Sequence, residues 1–308
     1  MERIDVEVSV IRFDRDLFTV SFDSLDCKVD WLVDKYGEFF RLFCEGVIGI
    51  GTPEESGFNQ SLLNFVADPM VRRSYSEVLK TFPSTYDLDA ILTDAFKRYH
   101  YHFPTKHIPT IYAFISGYNN SVMLADSLMG VGLERYLGAD YENYSLLGIY
   151  RYISRNMHPA KIPSDLIHTW GYGEFPFSDS VDNVINNLIY EGMLLYFTKA
   201  LLPDHHDTLI LGFTSDQLRW CRRNETQMWT HLIENKLLFD TDHFTIRKLV
   251  NPAPFTQLFT HESPGRAGAW LGYRIVSRFM QRNPDYTLKM LMNETDYQMI
   301  LSKSRYSP

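Results

Sequence analysis

Apolar residues open the chain at every second position: Ile4, Val6, Val8 and Val10 alternate with polar neighbours, the period of a half-buried strand. Helical spacing then takes over. Trp31, Leu32, Tyr36, Phe39, Phe40, Phe43 and Cys44 recur about every 3.6 residues until GVIGIGTPEESG breaks the pattern. The same period predicts helices over residues 60–67, 70–82 and 88–101, the last ended by Pro104. TIYAFISG, at 110–117, reads as a strand because it is β-branched and aromatic and is bounded by Pro109 and Gly117. YNNS then supplies turn chemistry, so SVMLAD is expected to return beside it as the second strand of a hairpin.

Beyond the strands the helical period dominates. A long helix is predicted over 180–202, and Thr214 with Gln217 forms a capping-box signature opening TSDQLRWCRRNETQMWTHLIENKLLF as one helix. After the proline-broken NPAPF, GRAGAWLGYRIVSRFMQRN and the tail each predict a further helix. No internal repeat or low-complexity linker is present. The expected fold is α+β: a helix-rich single domain over 1–308 with a small β-sheet. A strand and helices fill 1–105, the sheet region 106–140, and a helical part 141–308.

Composition narrows the function. The 308 residues can bury a sizeable core, and an apolar share of 45% against 22% charged is that of a folded globular chain. A formal net charge of -8 argues against nucleic-acid partners, which demand an excess of lysine and arginine. Basic residues do gather late, at Arg266, Arg274, Arg278, Arg282, Lys289, Lys303 and Arg305, as solvated helix faces or a docking patch. Cys27, Cys44 and Cys221 share no C-x-x-C spacing, which excludes a cysteine zinc knuckle and leaves one bridge, Cys27 to Cys44, open. No apolar run is long enough to span a membrane, and the start reads directly into a strand, as in a cytoplasmic chain or one trimmed of its leader.

Candidate chemistry is sparse. None of the ten histidines has another four residues on, so no helix presents an imidazole pair. His100 with His102, His205 with His206, and His231 with Glu234 are the nearest approaches to metal spacing. No G-x-S-x-G, G-x-x-x-x-G-K-[ST] or G-x-G-x-x-G motif occurs, and GVIGIG lacks the lysine and strand context of a phosphate loop. The odd residue is Glu191, a carboxylate among Leu188, Ile189, Met193, Leu194 and Leu195 in LIYEGMLLYFTKALLP. It must be paired, protonated or turned to a cavity, and Arg266 and Arg274 are the partners to look for.

In order and spacing, VSVIRFDRDLF, ISGYNNSVMLADSLMGVGLERYLG, YRYISRNMHPAKIPSDLI, LIYEGMLLYFTKALLP, GFTSDQLRWCRRNETQMWTHLIENKLLFDTD, NPAPFTQLF and ESPGRAGAWLGYRIVSRFM resemble the gliding motility-associated lipoprotein GldB family. The resemblance implies a Gram-negative envelope lipoprotein facing the periplasm, held by an N-terminal lipid anchor whose cysteine is absent from this sequence. It implies envelope or motility-machinery proteins as partners. That family is distantly similar to predicted zinc-dependent peptidases of zincin-like fold bearing H-E-x-x-H. Carried over, their histidines fall on Tyr190 and Leu194 and their glutamate on Glu191, a degenerate motif with no metal and no cofactor.

Two readings follow. In one the chain is a non-catalytic binding or scaffold component in gliding motility or envelope assembly, with Tyr190 and Leu194 filling the space of the lost zinc site. Its contact surface is then expected on Arg266, Trp270, Tyr273 and Arg274, beside a groove left by Gly268 and Gly272 that close helix packing explains equally well. In the other it is a hydrolase using Glu191 or a metal site built from other histidines.

Overall fold

The computed structural model describes residues 4–19 and 25–308, and its chain is an α+β domain rich in helix with a small mixed sheet. The strands are β1 (Val10–Arg12), β2 (Thr110–Phe114), β3 (Val122–Ala125) and β4 (Leu128–Gly132), in the order β1-β2-β4-β3. β1 and β4 both run parallel to β2, pairing Val10 with Ile111 and Ile111 with Met129, while β3 is antiparallel to β4.

The hairpin therefore lies between β3 and β4, not between the 110–117 strand and SVMLAD. Gly117 and Tyr118 both take positive φ, which turns the chain out of the sheet after β2 and leaves that strand's edge open. β4 takes the place because it is LMGVG. A Cβ at Gly130 would stand 2.7 Å from the Phe114 ring, so only a bare backbone fits against β2 there.

The opening alternation also resolves differently. Val8 and Val10 are buried as the pattern requires, but the ladder is confined to Val10–Arg12. The helix Tyr86–His102 satisfies the backbone leading into the ladder: Val8 N–H donates to Thr93 Oγ1 at 3.0 Å and Val10 N–H to Asp89 Oδ1 at 2.9 Å. At the end of β1, Arg12 grips the fully buried Asp14 through its Nε and one terminal nitrogen, at 2.7 and 2.6 Å.

The core centres on Val184–Leu201, here termed the motif helix, whose residues are buried on nearly every face. Ile162–Glu174 and Ala267–Arg282 pack against it. The second crossing is unusually close. A Cβ at Gly272 would overlap the Leu188 carbonyl oxygen, and one at Gly192 would overlap the Gly272 backbone. The groove beside Gly268 and Gly272 is thus filled by the motif helix itself.

The capping box at Thr214 and Gln217 is formed, but its helix ends at Arg223 and a second runs over Glu225–Glu234. Asn224 separates them and turns its side-chain amide back to the Trp220 carbonyl at 2.8 Å. The tail likewise folds as two helices, Leu288–Met292 and Tyr297–Ser304. All three cysteines are free, Cys27 exposed at one end of the helix Leu25–Leu42 and Cys44 buried beyond the other, which keeps their thiols apart. Among the described residues, no helix is long and apolar enough to cross a membrane.

Candidate functional site

Glu191 meets Arg266. Its Oε2 lies 3.0 Å from a terminal nitrogen of the guanidinium, whose Nε donates to the Val250 carbonyl at 3.0 Å. The two side chains are 18% and 24% exposed, so the pair is neither fully dry nor freely solvated. Arg266 precedes Ala267–Arg282 and holds a left-handed backbone, φ 63° and ψ 23°. Thr256 stabilises this turn: its Oγ1 donates to the Pro264 carbonyl at 2.7 Å and accepts from Ala267 N–H at 3.0 Å. NPAPF and SPGRAG are in this way closed upon one another.

His168, from Ile162–Glu174, stands beside the pair with its Nε2 3.9 Å from Glu191 Oε2. That nitrogen is buried without a hydrogen-bond partner. Burial, reinforced by the charges of Arg266 and Lys161, pushes the imidazole pKa down to about 3, so the ring is neutral near pH 7.

The other motif positions turn away from this carboxylate. Tyr190 donates its hydroxyl to the Phe175 carbonyl at 2.9 Å, and burial raises its pKa. Leu194 is fully buried with a methyl beside Gly171. A phenol already spent on a carbonyl and an alkyl group make no donor set for zinc, and the residues do not fit that ion. Among the described residues no three His, Cys, Asp or Glu side chains are grouped to hold a metal. His206 caps the short helix Asp207–Leu211, and His231 lies edge-on to Phe259 while Glu234 is exposed.

Arg266 faces outward into a cleft of about 200 Å³, to which separate stretches of the chain bring three further basic residues. Arg135 comes from the turn Leu133–Tyr136 after β4, Arg155 from the end of the short helix Arg151–Ser154, and Lys161 from the turn Pro159–Lys161. Asp165 is the carboxylate in the lining. It accepts from Lys161 Nζ at 2.7 Å and from the Tyr136 hydroxyl at 2.9 Å. Lys161 is otherwise closed in, bonded at 3.0 Å to Ser164 Oγ.

Among the described residues, the two remaining arginines contact no carboxylate. Arg135 donates to Ser121 Oγ and to the Tyr118 carbonyl, each at 3.1 Å. Arg155 reaches the Gly212 carbonyl only at 3.5 Å, its Nε is buried with no partner, and burial lowers its pKa. An arginine stays charged under such burial, so the cleft holds two uncompensated cations in a chain whose net charge is -8.

The residue before Arg135 is a fully buried acid, Glu134. Its Oε1 accepts from Ser116 N–H and Oγ, both at 2.6 Å, and from Tyr118 N–H at 3.1 Å, while Oε2 has no partner. Burial raises its pKa against the effect of those bonds. Glu134 thereby shapes the ISGYN turn that carries the Tyr118 carbonyl to Arg135.

The four residues expected to share a contact face are divided. Arg266 enters the cleft, Trp270 is 2% exposed within the core, and Tyr273 is half-buried. Arg274 is 49% exposed and bonds Glu225 at 2.9 Å. Trp270 leaves the expected surface because Ala267, Gly268 and Leu271 draw that side of the helix inward. Reading the sequence by motif passes over Arg135, Arg155, Lys161, Glu134 and His168. For Arg135, Arg155 and Lys161 the signal, a basic residue at a helix or strand end in LERY, SRNM and PAK, is visible, but their convergence is not.

A family model described as gliding motility protein GldB matches residues 1–308. No curated protein and no solved structure matches the chain.

Proposed function

The chain belongs to the gliding motility protein GldB family, and on that premise we propose that it serves gliding motility as a non-catalytic component of the cell envelope. It acts as a lipoprotein ectodomain, tethered to a membrane by a lipid and working beside motility-machinery proteins. The motif helix is the spine of an inherited, zincin-like fold, and the basic cleft is where a ligand or partner group is received. The observation that carries this reading is the Glu191–Arg266 pair at 3.0 Å. A carboxylate whose oxygen is already bonded to a guanidinium is a poor general base, because the cation occupies a lone pair that would take the proton.

A hydrolase reading has one observation in its favour, the neutral His168 within 3.9 Å of Glu191. The two readings part cleanly on one preparation. Protein purified without a histidine tag is expected to carry far less than one zinc per chain by elemental analysis and to leave casein and short peptides uncut. Zinc near one per chain, lost together with peptide cleavage in Glu191→Gln, would overturn the non-catalytic reading. In a gliding bacterium lacking its own family member, the Glu191→Gln gene is expected to restore colony spreading whenever the variant accumulates to normal level.

A further inference from the structure

We propose that the cleft between Arg135, Arg155, Lys161 and Arg266 binds a phosphate dianion, either free or as the terminal group of a small phosphomonoester. This deepens the binding reading above and rests on it. The charges select the ligand. Lys161 is answered by Asp165 and Arg266 by Glu191, which leaves Arg135 and Arg155 as cations with no carboxylate in contact among the described residues. Two uncompensated charges call for a ligand carrying two. A phosphomonoester supplies roughly −1.5 to −2 at pH 7 with three strong acceptor oxygens, whereas a single carboxylate supplies one charge and two oxygens.

Donor geometry points the same way. Arg155 lines the cleft and, among the described residues, reaches only the Gly212 carbonyl, at 3.5 Å, which leaves donors of its guanidinium for an incoming oxygen. Guanidinium forks match phosphate oxygens in bidentate fashion. The turn carrying Arg135 is fixed by Glu134 through Ser116 and Tyr118, so that donor is placed before any ligand arrives. Size sets the upper limit. About 200 Å³ is smaller than the roughly 300–1,000 Å³ of pockets for drug-sized ligands, so a head group is enclosed and not a long chain. Met157, Leu211 and Phe213 supply apolar lining that suits a short carbon stem.

The test is isothermal titration of the intact chain with inorganic phosphate and with glycerol 3-phosphate, acetate at matched ionic strength serving as the monoanion control. Flotation with phosphatidic acid vesicles against phosphatidylcholine vesicles forms a second arm. Saturable binding of the soluble phosphates with acetate inert is expected, and Arg155→Gln is expected to weaken it about tenfold or more, the loss of a charged hydrogen bond. Arg155→Lys, which keeps the charge without the fork, should fall between, and it decides the matter if Arg155→Gln fails to fold. Arg274→Gln, outside the cleft, should bind as the parent does. Binding confined to phosphatidic acid vesicles and lost in Arg155→Lys would support the site with a lipid headgroup as its source. Acetate binding as tightly as phosphate, or phosphate binding indifferent to both Arg155 variants, would overturn the proposal. Zinc-dependent peptide cleavage with phosphate affinity intact would sink the functional reading and leave this site standing.

Discussion

Glu191 and Glu134 each stand behind an arginine of the cleft, one supporting its helical wall and the other its loop wall, yet a cation answers one and backbone amides answer the other. Glu191 binds the guanidinium of Arg266 and so consumes the charge of a residue that lines the cleft. Glu134 is fully buried and accepts two amides and a hydroxyl from Ser116 and Tyr118, while its neighbour Arg135 bonds Ser121 and Tyr118 instead. The difference assigns the labour. The helical wall spends a carboxylate on holding a cation still, and the loop wall spends one on holding a backbone, which leaves its own cation free.

Substitutions at four positions break or sharpen that contrast. The largest effect is expected at Gly272, where any side chain strikes the Leu188 carbonyl: Gly272→Val should cost about 3 kcal/mol or more in a denaturant titration. A wild-type midpoint would mean the helical wall is not built on this contact. Next comes Glu134→Ala, which strands the Ser116 and Tyr118 amides and should cost about 2–3 kcal/mol by the same measurement. Glu134→Gln should cost less, since it keeps an acceptor in place. Equal losses for the two would show that charge, not shape, holds the loop wall.

Arg266→Met leaves Glu191 without its cation. Because both groups retain some solvent, a loss of about 1–2 kcal/mol is expected, well short of a fully buried pair. The smallest effect concerns pH. His168 titrates near 3 when folded against about 6.5 in an unfolded chain, so between those values the unfolded state binds more protons. Stability from this residue is constant above pH 6.5 and falls as pH drops below it, by about 1 kcal/mol near pH 6. His168→Gln should flatten that part of the stability profile; an unchanged slope would remove His168 from the account of the helical wall.

How far the sequence speaks differs along the chain for physical reasons. Helices are legible because burial on one side imprints a 3.6-residue period: 180–202 contains the observed Val184–Leu201, and the Thr214–Gln217 cap is formed. Strand partners are not legible. Alternation marks a strand but not its neighbour, and the choice of β4 over β3 beside β2 turns on Gly130 and on the outward turn at Gly117 and Tyr118. In the site, a carboxylate in an apolar helix demands a partner, and Arg266 is one of the two arginines such reasoning singles out. Arg135, Arg155 and Lys161 each resemble any solvated residue at a turn, because only tertiary packing brings them together.

The parallel register of β1 on β2 bears on how the chain reaches this state. Val10 must find Ile111, so a loop of about a hundred residues has to close before the two strands reward each other with a single hydrogen bond. The β3–β4 hairpin, by contrast, joins Ala125 to Leu128 across two residues and can form as soon as it is made. The sheet is therefore expected to assemble from its β3 edge toward its β1 edge. In a refolding experiment followed by amide exchange, β1 is expected to gain protection after the hairpin does.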